Sequence, residues 1–149
     1  LTSQSSCAKN FYSLILFQIK LINNYSEDIQ SAWTDPRDIA QTVLKAFKVV
    51  PTQNQVCYVL SQWLTGTELV AQLRVALNLP DLHWVTITDE AMQTSLEKIG
   101  MSKTMASEMM QMRAAQRDSK FYADLRAHEP EHGTVRLTDI VPALRKALG

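Results

Sequence analysis

Glycine is scarce in this sequence, with four in 149 residues, at positions 66, 100, 133 and 149. No two stand close enough for G-x-G-x-x-G or for the glycine loop of a phosphate-binding lysine, so neither phosphate cradle is built from this chain. Cysteine is scarcer still: Cys7 and Cys57 alone cannot make a disulfide framework. No excess of charge exists either. Fifteen Lys and Arg balance fifteen Asp and Glu, which argues against a nucleic-acid footprint. The apolar stretch over residues 11–19 is too short to span a bilayer and is broken by Ser13 and Gln18. It also lacks the basic start and small-residue cleavage site of a signal peptide. These absences predict a cytoplasmic protein with no nucleic-acid and no membrane partner.

What is present is the composition of one ordinary globular domain, 46% hydrophobic and 20% charged. Leu1 stands where an initiator methionine is usual, so a fragment or a processed form is expected.

Hydropathy patterning predicts a buried helix over residues 11–22, then a polar stretch, then a short strand ending at Trp33. Asp35 before Pro36 marks a helix start. Proline fits the first helical position, and Asp38 falls in the first turn near the positive end of the dipole. Ile39, Ala40, Val43, Leu44 and Phe47 then share one face. Residues 56–60 read Val-Cys-Tyr-Val-Leu. That run predicts a strand covered on both faces in a parallel sheet, with Cys57 a buried free thiol. Thr65-Gly66-Thr67-Glu68 is a capping box and opens a helix that closes before Pro80. Residues 84–88 alternate as a half-covered strand. Thr88 caps the next helix and Gly100 supplies its left-handed stop. Ser102 opens the longest periodic segment, expected to reach about residue 127 with a break near Asp118 and Ser119. Met101, Met105, Met109 and Met112 recur along it. A loop over 128–133 and a last helix capped by Thr138 or Asp139 complete the order. Strand–helix alternation calls for a parallel sheet, yet the 56–60 strand finds poor neighbours in this chain. Its partners are expected from another subunit or a longer parent chain.

His128-Glu129-Pro130-Glu131-His132 spells H-E-x-x-H, which binds zinc only from a helix. Pro130 forces Glu129 out of the helical region, so a solvated loop without metal is expected. Tyr122 and Arg126 come nearest to a Tyr-x-x-x-Lys dyad. The wide guanidinium fork is a poor substitute for a compact ammonium, and the helical phase suits Tyr122 as a packing residue. No catalytic residue is assigned. His83 is expected at the surface. The methionine row is expected in the core, with a flexible apolar ligand surface as the alternative. Phe11, Tyr12, Trp33 and Trp63 have the same two readings, core or aromatic-lined pocket.

Asn10-Phe11-Tyr12, then Trp33-Thr34-Asp35-Pro36-Arg37-Asp38-Ile39-Ala40, then the 56–60 run, then Leu64-Thr65-Gly66-Thr67-Glu68-Leu69 follow in a telling order. That order and spacing resembles the C-terminal half of the NmrA-like atypical short-chain dehydrogenases, and the likeness covers nearly the whole chain. Two features depart from it: residues 23–28 lack the usual glycines, and Ser61-Gln62 replaces another.

The resemblance implies an α/β fold, the C-terminal part of a Rossmann-type extended or atypical short-chain dehydrogenase, helix-rich with a few short parallel strands. It implies that residues 1–149 form one substrate-binding region, with the dinucleotide-binding half outside this chain. It pairs the Trp33 strand with residues 84–88, places Asn10, Phe11, Tyr12 and Trp33 at the substrate, makes Asp38 a helix cap, and closes the cleft with the Met-rich helix. NADP or NAD is the implied cofactor, not expected to bind this chain alone. The implied partners are a small-molecule substrate in the intact protein and either the missing half or a second copy. The rival functions are an NmrA-type redox-sensing regulator and a stand-alone helical interaction module.

Overall fold

The computed structural model describes residues 20–48, 53, 54 and 56–148. Its elements are β1 (Lys20–Asn23), β2 (Ser31–Trp33), α1 (Pro36–Lys48), β3 (Gln62–Leu64), α2 (Gly66–Leu77), β4 (His83–Thr86), α3 (Asp89–Lys98), α4 (Lys103–Ala115), α5 (Ala123–Ala127) and α6 (Leu137–Leu148). The architecture is α/β and helix-rich. The strands form two separate pairs. β1 runs parallel to β4, with Leu21 opposite Trp84. β2 runs antiparallel to β3, with Ala32 opposite Trp63.

The helix starts follow the local chemistry. Thr65 Oγ1 accepts the Glu68 amide at 3.1 Å, and Glu68 Oε2 accepts the Thr65 amide at 2.8 Å, which completes the capping box of α2. Thr88 and Ser102 accept the third amide of α3 and α4 respectively. Gly100 follows α3 with φ +98°, a conformation that costs glycine nothing. Asn78, with φ 57°, ends α2.

Three expectations are corrected. Residues 20–23 are strand and not the end of a helix, because β4 offers a parallel ladder that an apolar run can take; residues 11–19 lie outside the described residues. The Trp33 strand pairs with β3 and not with residues 84–88, which belong with β1. Residues 56–60 are not strand. No ladder is offered to them among the described residues, so Val56 stays 78% exposed and Cys57 is exposed, not a buried thiol. The long segment does break where expected, around Asp118 and Ser119, but more widely: α4 ends at Ala115, turns occupy 116–122, and α5 carries it to Ala127.

Two apolar clusters hold the described chain together. Leu21, Leu64, Leu69, Leu73, Leu82, Leu137 and Leu144 form one, where α2 packs on α6. Met92, Leu96 and Ala106 form the other, where α3 packs on α4, with Met109 and Met110 against it. The methionine row therefore divides. Met105 and Met112 are exposed, and Ala106 is the fully buried side chain of α4. α1 differs from the other long helices: its one buried residue is Asp38, while Ile39, Val43, Leu44 and Phe47 are exposed.

Candidate functional site

A cavity of about 240 Å³ opens between the two strand pairs and α4. β1 lines it with residues 21–23, β2 with residues 31–33, and Trp84 comes from β4. α4 contributes Met109, Met112 and Arg113, at helical spacing on one face. Gln116 and Tyr122, in the turns after α4, complete the rim. The wall is mostly apolar with a few polar groups, the usual make-up of a small-molecule site.

Those polar groups are tied to one another. Gln116 Oε1 accepts the Ser31 hydroxyl at 2.8 Å and the Tyr122 hydroxyl at 3.2 Å. This joins β2 to the turns after α4. Trp84 Nε1 donates to the Tyr25 carbonyl at 3.1 Å, and the two rings meet at 5.4 Å, tilted by 59°. Burial pushes the Tyr25 phenol above its ordinary pKa, offset in part by Ser31 and by the Arg113 charge. It therefore stays neutral at pH 7.

Arg113 Nη1 donates to Asn23 Oδ1 at 2.6 Å. Its Nε is buried with no acceptor, as is the indole Nε1 of Trp33. No carboxylate pairs with Arg113 among the described residues. Burial lowers its pKa from the ordinary value, but a guanidinium keeps its proton in proteins.

A second cavity, about 310 Å³, shares Trp33 and lies between it, Asp35, Ser61, Arg136 and Ile140. It adjoins a buried cluster. Asp38 accepts the Ser61 hydroxyl at 2.5 Å and the amides of Thr134 and Val135 at 3.0 and 3.3 Å. The Ser61 bond, then the two amides, hold its carboxyl below the usual range. Asp38 is therefore not the cap expected for α1, because its carboxylate binds the 133–135 loop to the β3 entry while Asp35 Oδ1 accepts the Arg37 amide at the helix start.

Of the sequence-derived substrate residues, Trp33 lines the first cavity; Asn10, Phe11 and Tyr12 lie outside the described residues. Tyr25, Arg113, Gln116 and Tyr122 were not singled out as pocket residues, and only the methionine row pointed to the helix that carries Arg113. Residues 128–133 form a loop, and the two imidazoles of H-E-x-x-H face different carboxylates, Asp124 and Glu129. Among the described residues no group of three or more His, Cys, Asp or Glu gathers to hold a metal. Tyr122 lies edge-on to Trp63 at 5.2 Å, and the Arg126 guanidinium stacks 4.1 Å over the Trp63 ring, so both residues pack. His83 is exposed. No helix among the described residues is long and apolar enough to cross a membrane.

No family model, no curated protein and no solved structure matches the chain.

Proposed function

We propose that the chain forms the substrate-binding part of an NmrA-like, NAD(P)-dependent oxidoreductase of Rossmann type, and that the cavity beside α4 takes a small carbonyl compound. One observation carries this: the described residues wall a ligand-sized cavity yet leave the apolar face of α1 exposed. A stripe such as Ile39, Val43, Leu44 and Phe47 stabilises a helix only when something packs on it. In the proposed protein the dinucleotide-binding half packs there.

Among the described residues no glycine loop gathers to cradle a dinucleotide phosphate: Gly66, Gly100 and Gly133 are scattered, and Gly66 and Gly133 are packed against neighbouring groups. No hydride step is therefore assigned to this chain. Its own residues bind and orient. Trp33, Trp84 and Tyr122 offer flat walls, Met109 and Met112 adapt to the ligand edge, and Gln116 holds the rim closed between β2 and the turns.

Calorimetry of the 149-residue chain tests the division of labour. Acetophenone, a small aromatic ketone, is expected to bind, while NADP gives no micromolar binding and NADPH is not oxidised. Micromolar affinity for NADP overturns the proposal.

A further inference from the structure

We infer that the cavity beside α4 selects a flat aromatic carbonyl compound carrying a carboxylate, with Arg113 as the anion-binding residue. This rests on the cavity being the ligand site proposed above. Three observations carry it.

The first is an uncompensated charge. Arg113 is half-buried in α4, and buried charges are normally paired or ligated. Here its recorded partner is the neutral amide oxygen of Asn23. The Asp89 carboxylate is bound by Arg117 at 2.6 Å and by the Asn24 amide at 2.8 Å. Arg113 thus lines the cavity without a counter-ion among the described residues, its Nε itself shielded from the open space.

The second is the match of donors to one functional group. A carboxylate matches a guanidinium fork in both charge and geometry. A neutral ketone oxygen leaves the charge unmatched.

The third is shape. Trp33, Trp84 and Tyr122 supply aromatic surface, and at interior packing density the volume holds roughly ten non-hydrogen atoms. One aromatic ring with a short keto-acid arm is of that size.

Calorimetric titration of the 149-residue chain with benzoylformate, its neutral amide and acetophenone tests the inference. Benzoylformate is expected to bind tighter than either neutral compound by roughly tenfold or more, the usual scale for a hydrogen bond to a charged group. Arg113→Met is expected to abolish that preference, so that the acid and its neutral amide bind alike. Arg113→Lys keeps the charge without the fork and is expected to retain part of the preference, which guards against a Met variant that fails to fold. Equal affinity for the acid and the amide overturns the carboxylate assignment and leaves the cavity as a carbonyl site. No binding of any of the three overturns the cavity reading, and this inference with it.

Discussion

The Asp38 carboxylate accepts the backbone amide of Thr134 at 3.0 Å across 96 positions of sequence. With the Ser61 hydroxyl and the Val135 amide it closes a buried polar cluster in which every donor has its acceptor. Asp38 is 4% exposed. In Asp38→Asn one oxygen becomes a donor facing donors. The expected loss of unfolding free energy is about 1–3 kcal/mol, read by urea denaturation. A loss within experimental error removes the cluster as a stabilising feature. Gly133→Ala attacks the same cluster from the other side, because a Cβ there falls on the Asp38 carboxylate. It is expected to destabilise comparably.

Acid sensitivity follows from the same groups. Hydrogen bonds from Ser61 and the loop amides depress Asp38, Arg37 depresses Asp35, and Arg117 with Asn24 depresses Asp89. A carboxylate with a lower pKa in the folded than in the unfolded chain stabilises the fold at pH above its unfolded value, about 3.9. That contribution is lost as pH falls through the folded value. The melting temperature is expected to stay level from neutral pH down to about pH 5 and to fall below about pH 4. In Asp38→Asn the acid fall is expected to be shallower. A wild-type melting temperature that rises on acidification contradicts this.

Gly66 opens α2, where alanine has the better helix propensity by about 1 kcal/mol. Packing opposes propensity here. A Cβ would stand 2.8 Å from Glu27 Cα and 2.9 Å from the Trp84 ring, and one of those contacts is backbone. Overpacking of this kind costs about 1–3 kcal/mol, so Gly66→Ala is expected to destabilise. A stabilised variant in a thermal melt shows that propensity wins.

α1 and α2 are expected to respond oppositely to truncation. Phe47 is 80% exposed and Leu73 4%. Phe47→Ser is expected to change the stability of this chain by less than about 0.5 kcal/mol. Leu73→Ala is expected to cost about 2–5 kcal/mol. A large loss in Phe47→Ser means that something already covers the α1 face.

What the sequence made legible was local. Thr65, Thr88 and Ser102 announce helix starts because their hydroxyls act within three residues, and Gly100 announces a stop because its backbone angle demands it. Pro36 does the same for α1. Strand partnership was not legible. The ladder that makes residues 20–23 a strand comes from β4, some sixty residues away, and residues 56–60 have strand composition without a ladder among the described residues. The site was half legible. Trp33 is aromatic at a strand end and drew notice for that. Arg113 did not, because a buried arginine on a helix reads like any solvated one until Asn23 and the cavity are placed around it. Asp38 was read from its own helix, while its partners lie in β3's approach and the 133–135 loop.

The central claim is that the cavity beside α4 holds the ligand. A proton–nitrogen correlation spectrum of the chain titrated with acetophenone tests it most directly. The account predicts that the Trp33 indole and Arg113 Nε–H signals move together with amides near Met112, Arg113 and Gln116. The Trp63 indole, already bonded to Glu129 at 2.8 Å, stays still. Shifts at Trp63 with none at Trp33 and Arg113, or no shifts at all, contradict it.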